Sequence, residues 1–489
     1  MTRRPSNSDK IDWARAGTPR VQPDAARRRR MSRAQPLALL LGFGAVAAFF
    51  FSAAAALSAD LGEITPALSP TPLDDVSPPA GDPFPAAANF AWRAFIALNW
   101  PAEPAPAGRG FADLAKTPGD PGKRVWETFK SDYELFPIGD DGRRVSPTPW
   151  SSYEARNPCG AGVDNREKTI ASFAPFADFN QPSFAPGEPG NPLVAQNGAY
   201  TRYEIHFNEP EFAALAASGW SQGLNLPDER HPARLPVGSI AVKAAWRPLR
   251  PAETQAARAR YFVESAEILD VAKTLAAGRI VCSKSDVALV GLHIAIKTKS
   301  RPQWVWSTFE QVDNVPPAES GKPREPDAKD AGAPYSFFDP AKPAKLWPPL
   351  GSEDTAPVDW NNPPKLNPEP MQVVRRYPIA PEIMAMNRAY WALTGVKGTV
   401  WEHYMLVSVQ WPTSADPPGP ANDGAFFPGE PSGASAEESY RSTAKAQQNL
   451  VNTTMETYLQ DLPSSCMACH QAVSNSRGRD FVGVLGGLR

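Results

Sequence analysis

Five residues near the end of the chain, Cys466-Met467-Ala468-Cys469-His470, carry the clearest chemistry in the sequence. Two thiols three positions apart, with an imidazole directly after the second, match the attachment site of c-type haem. Each sulfur adds to one vinyl group of the same porphyrin, so the backbone between them must bridge the ring edge. His470 is then held beneath the ring, where it ligates iron as the proximal ligand. A structural zinc site would need a second ligand pair, and Cys159 and Cys282 stand alone. A thioredoxin-like pair would open a helix after a strand, whereas a polar, helix-like stretch precedes this motif. An ordinary disulfide is the remaining alternative.

The second axial ligand must come from upstream, or the position is left to water or stays open. The tail 471–489 holds neither Met nor His. Three residues are candidates. His403 and Met405 share one face of a presumed strand. His293 lies on a face with Gly291 and Ala295, open enough for a flat ring to approach. A His/Met pair raises the potential and suits electron transfer. An open position instead suits peroxidase-like chemistry.

The elements that must position these groups read as β-rich. Fifty-five prolines in 489 residues argue against long helical bundles. Apolar and polar residues alternate over 200–208, 239–246, 260–269, 287–297, 303–312 and 399–411, the pattern of half-buried strands. In the first of these Arg202, Glu204 and His206 form the polar face, with His206 either facing solvent or paired with Glu204. Residues 89–100 and 381–393 read as helices. Trp126, Phe129, Tyr133 and Phe136 fall at helical spacing. Residues 436–460 read as a polar helix leading into the motif. The expected fold is therefore α+β, a β-rich body over 87–415 with a C-terminal helical haem-binding segment over 436–489. The Pro- and charge-rich stretch 315–370 reads as a long loop, and 60–86 as a linker.

The N-terminus reads as an export signal or anchor over 1–59. Five arginines between 27 and 33 precede an apolar run over 37–57. The run ends in small residues, yet it is also long enough to span a bilayer uncleaved. Either outcome places the bulk of the chain outside the cytoplasm, where haem c is attached and where Cys159 and Cys282 can form a disulfide; two buried thiols are the alternative. The formal charge of −2 gives no reason to expect a nucleic-acid partner. No second CxxCH, GxSxG, P-loop or HExxH occurs.

Around the motif, Asn452-Thr453-Thr454-Met455-Glu456-Thr457-Tyr458 and Ser465-Cys466-Met467-Ala468-Cys469-His470 resemble a family of exported bacterial proteins described as cytochrome c family proteins. Similar wording stands at 237–247, 290–293 and 304–310. The resemblance implies one covalent haem c and export, and supplies no substrate. Three functions follow as expectations. The first is a periplasmic single-haem cytochrome passing electrons to a redox partner protein. The second is a haem-dependent oxidoreductase with an open iron position. The third is a module that recognises a redox partner.

Overall fold

The computed structural model describes residues 64–76, 84–105, 108–160, 162–171, 193–227, 233–301, 304–316, 318–319, 322–323, 335–341, 370–375, 377–410 and 451–457, with Gln460, Cys466, His470 and Asp480. All of them belong to the compact unit Ala53–Arg489. The leader 1–59, His231, Met467, Cys469 and most of the 315–370 loop lie outside the described residues, as does 436–449. Among the described residues no helix is long and apolar enough to cross a membrane.

One eight-stranded sheet organises the chain, curled into a half-barrel. Its strands are β1 (Lys130–Ser131), β2 (Lys168–Ile170), β3 (Arg202–Phe207), β4 (Ile240–Pro248), β5 (Val263–Leu269), β6 (Cys282–Ile296), β7 (Val305–Gln311) and, after a small hairpin β8 (Ala318–Glu319) and β9 (Lys322–Pro323), β10 (Tyr404–Gln410). The order runs β1-β3-β4-β6-β5-β2. The 15-residue β6 forks the sheet. Its first half pairs with β5, its second half with β7, and β10 closes on β7. All these pairings are antiparallel except β2 with β5.

Alternation along the strands sends two sets of side chains to opposite faces. On one face, Val242, Ala244, Trp246, Leu289, Leu292 and Phe309 meet the helices Phe84–Leu98 and Pro381–Trp391 in the largest core cluster. Pro381 occupies the first turn of the second helix, where a missing N–H costs nothing. Trp92 stacks on Tyr390 at 4.9 Å and donates from Nε1 to Asn387 Oδ1 at 2.9 Å. Each fully buried aromatic contributes about 1.5–3 kcal/mol relative to exposure.

The opposite face carries three cross-strand rows. Tyr203, Ala245, Gly291, Glu310 and Met405 form one; Ile205, Lys243, His293, Thr308 and Ser408 the next; Phe207, Ala241, Ala295, Trp306 and Gln410 the third. Onto these rows the chain lays residues 451–457. Here the sequence expectation fails. The protein is β-rich, and among the described residues it has no C-terminal helical haem-binding segment. Where a polar helix was expected through 460, residues 453–455 form a turn. The cause is local competition by short polar side chains. Asn452 Oδ1 accepts from Thr454 N at 2.9 Å and Thr454 Oγ1 at 2.7 Å, and Asn452 Nδ2 donates to Phe309 O at 2.9 Å. Thr453 donates from N and Oγ1 to the fully buried Glu310 at 2.6 and 2.7 Å. Gly291 permits the approach: a Cβ there would stand 2.3 Å from Thr454 Oγ1.

Two further expectations are corrected. Residues 125–136 are not one helix but a 3-10 turn (Trp126–Thr128), β1 and a short helix (Asp132–Leu135). Ser131 and Glu134 form a capping box that restarts the chain after β1 pairs with Phe207 and His206. The stretch 399–411 is not one strand. Val400–His403 is a 3-10 turn in which the Trp401 N–H donates to Thr399 Oγ1 at 3.2 Å, and β10 begins only at Tyr404. Cys159 and Cys282 are joined by a disulfide with Cα atoms 5.4 Å apart, tying the turn region to the start of β6.

Candidate functional site

Cys466 and His470, the two described residues of the motif, stand at the third row of the open face. Cys466 is half-buried and packs on the cluster of Phe207, Phe212, Leu215, Trp304 and Trp306, with Ile205 and Trp220 beside it. The His470 ring lies 4.4 Å from the Trp306 ring. Trp304 takes a left-handed backbone, φ +74°, which costs a bulky residue about 1–3 kcal/mol. It is held there by a hydrogen bond from its Nε1 to Asp480 O at 3.0 Å. Asp480 in turn accepts from Leu235 N at 2.6 Å and pairs with Lys297. Asp480 is thus held by Trp304, Leu235 and Lys297.

This surface fits a flat apolar ring held at Cys466 and His470. Two indoles and two phenylalanines supply apolar area, and the alanines at 241 and 295 leave the adjoining sheet surface low. Among the described residues no three His, Cys, Asp or Glu side chains stand together as a metal site. The motif would offer a metal one imidazole, that of His470.

The three candidate second ligands fall in different places. His293 belongs to the same face as Trp306, one register step from Ala295, about 7 Å along the strand. Its Nε2 is buried and makes no good hydrogen bond; Glu456 Oε2 stands 3.4 Å away. Burial works to raise the Glu456 carboxyl, but His293 and Lys243 hold it below its ordinary value. Met405 is partly buried, opposite Glu310 on the first row. His403 ends the turn before β10, 3.8 Å from Glu402. Burial, and then Arg260, lower its pKa. The shared strand face expected for His403 and Met405 does not exist, because the turn breaks the alternation.

Beneath the same cluster lies a buried carboxyl, Glu211, in the helix Glu209–Ala217 capped by Asn208. Neither of its oxygens has a hydrogen-bond partner among the described residues. Burial, reinforced by Asp480, pushes its pKa from 4.5 up to about 8, with Lys297 opposing. The folded carboxyl therefore keeps its proton where the unfolded one has lost it. That difference costs stability as pH rises from 4.5 to about 8. Glu211→Gln is expected to flatten this dependence, gaining a few kcal/mol over wild type near pH 8 and little near pH 5. Urea unfolding of both proteins at the two pH values measures it; equal differences at both would contradict the assignment.

A second cluster stands on the other face of β3, where the alternation pattern alone pointed to no site. Arg202, Glu204 and His206 alternate as a solvent-facing set would, yet all three are buried. Lys168 from β2 reaches in and pairs with Glu127 and Glu204, each at 2.7 Å. It also sits over the rings of Trp246 and Trp126, at 4.4 and 4.9 Å. Burial disfavours the ammonium, but the two carboxylates overcome it and hold Lys168 above its ordinary pKa. Glu204 mirrors this: burial works upward, while Lys168 and then His206 pull it down to about 2. Trp246 Nε1 donates to Glu204 Oε1 at 2.7 Å, and His206 meets Glu204 Oε2 at 2.9 Å and Phe129 O at 3.2 Å. Glu127, Phe129, Lys168, Glu204 and His206 line a cavity of about 270 Å³.

Compared with family models, with curated proteins and with solved structures, the chain matches none.

Proposed function

We infer that the protein is an exported single-haem cytochrome c that passes electrons to a redox partner protein. Cys466 and Cys469 hold the ring, and His470 serves as proximal ligand. The observation that carries this reading is the CxxCH spacing, supported by the aromatic surface on which Cys466 and His470 rest. A haem bound there would supply one-electron chemistry at iron. The chain's part is to orient His470 against Trp306, to exclude water with Trp304, Phe212 and Leu215, and to offer a second imidazole. His293 is that imidazole, since it shares the face of Trp306 and its Nε2 lacks a good partner. The leader over 37–57 and the Cys159–Cys282 bridge support a periplasmic location, with the leader either cleaved or kept as an anchor.

A second reading rests on Glu456. If His293 stays with that carboxylate, the pair is a polar acid–base group facing an open iron position, which suits peroxidase-like chemistry. Carbon monoxide separates the two readings. No change in the ferrous spectrum on adding it is the result expected for a filled sixth position and electron transfer. Rapid binding would move the oxidoreductase reading to first place.

A further inference from the structure

One ammonium on the open face of the sheet is unused by the described residues. Lys243 is the only lysine or arginine in the three cross-strand rows, standing in the second between Ile205 and His293. It is partly exposed, and among the described residues it makes no hydrogen bond and no ion pair. Its Nζ leans over the Tyr203 ring of the first row, 5.5 Å from the centroid. The carboxylates nearby have other partners. Glu310 meets Arg375 and Thr453. Glu456 Oε2 accepts from Asn452 N at 3.0 Å and stands 3.4 Å from His293 Nε2; it attracts Lys243 only from beyond ion-pair distance. Lys168 shows what this fold does with a lysine that is fully used, for its Nζ lies 2.7 Å from two carboxylates at once. Lys243 has the same three donors and lacks an acceptor for them.

We propose that Lys243 binds a propionate of the haem, an assignment that rests on the cytochrome reading above. In haem c the two pyrroles that carry thioether bonds are neighbours, and both propionates leave the opposite side of the ring. Cys466 and His470 stand at the third row, so the thioether side belongs there. The propionate side then points along the strands, toward the second and first rows. Lys243 lies one register step away from Ala241, about 7 Å along β4, and its side chain continues in that direction to Tyr203. Residues 451–457 cover the first row, where Tyr203 Oη donates to Thr454 O at 2.6 Å, and so they bound the ring on that side. A carboxylate brought to this edge without a counter-charge is unfavourable. Lys243 supplies the counter-charge, as Lys168 does for Glu204. It then stands between the propionate and Glu456, which loses His293 as a neighbour once that imidazole turns to the iron.

Resonance Raman spectra of the full-length exported protein with haem attached provide the test. Each propionate reports through its bending band, which moves to lower frequency when a hydrogen bond to the carboxylate is lost. Lys243→Met is expected to lower one of the two bands and to leave haem stoichiometry at the wild-type level, since attachment is through sulfur. Lys243→Arg, which keeps charge and donors, is expected to hold that band near its wild-type position. Lys243→Gln should shift it in the same direction as Lys243→Met but less, and it serves if the Met variant does not fold. A lysine with a purely structural role would change stability and leave the band in place. Unchanged bands in haem-loaded Lys243→Met or Lys243→Gln, or a shift in Lys243→Arg as large as in Lys243→Met, would each overturn the proposal and leave the cytochrome reading standing. A wild-type chain without covalent haem would overturn both.

Discussion

Exported in cells that mature c-type cytochromes, the chain with Cys466→Ser and Cys469→Ser is expected to carry no covalent haem, while the wild-type chain carries one. Thioether attachment has no substitute once both sulfurs are gone, so the effect is all-or-none. Denaturing electrophoresis with haem-dependent peroxidase staining reads it directly. The fold should survive the change. The described contacts that hold residues 451–457 to the sheet run through Asn452, Thr453 and Thr454, not through the thiols. A companion variant, His293→Leu, tests the second ligand. It should keep the covalent ring and open the ferrous iron to carbon monoxide, whereas Met405→Leu should keep the ring and leave the iron closed to carbon monoxide. An unchanged response in His293→Leu would remove His293 from the site.

Lys168→Met carries the second large effect, on stability. The ammonium is 3% exposed and stands between two carboxylates that are themselves buried. Removing it leaves Glu127 and Glu204 facing each other without their shared counter-charge. Breaking a buried ion pair by deleting one partner costs about 3–5 kcal/mol. Urea unfolding near neutral pH is expected to show a loss of that size. Adding Glu127→Gln and Glu204→Gln to the same chain should return much of it, because the uncompensated charge is then gone. The pH dependence has a definite sign. Glu204 is held at about 2 in the folded protein against 4.5 ordinarily, so its stabilisation is present above 4.5 and is lost as pH falls toward 2. A loss below 1 kcal/mol in Lys168→Met would show that the cluster is far better hydrated than its burial implies.

Much of the sheet was legible because alternation is a local signal. β3, β4, β6 and β7 each appear within a few residues of where the pattern placed them, except that β6 starts five residues earlier, at Cys282. What alternation could not reveal is which face meets water. Arg202, Glu204 and His206 read as a polar face, with His206 facing solvent or paired with Glu204; that pair is present at 2.9 Å, but Lys168, 36 positions from Glu204, makes the face an interior. Partners so distant leave no trace in a window of a dozen residues. The turn at 400–403 was hidden for a different reason. Trp401, His403 and Met405 alternate correctly, but Thr399 caps a turn and the strand starts late.

The C-terminal stretch was misread although its signal was present. Asn452-Thr453-Thr454 is a run of short polar side chains that bind nearby backbone and favour turns over helix interiors. Weighted that way, the run points to a plug on a polar surface. The surface it covers, Glu310 with His293 and Lys243, is equally polar. The reading of Cys466 and His470 rests on spacing alone. The apolar bed beneath them was not legible in that way, because Phe212 comes from the helix Glu209–Ala217 while Trp304 and Trp306 lie at the start of β7, far along the chain.

The central claim is covalent haem at 466–470. The measurement that tests it most directly is the intact mass of the purified exported chain after denaturation and acid extraction of loose haem. A mass greater than that of the polypeptide by one haem, with the extra mass on the peptide containing Cys466 and Cys469, is the predicted result. A chain of polypeptide mass alone, obtained from cells whose other c-type cytochromes are fully matured, would contradict it.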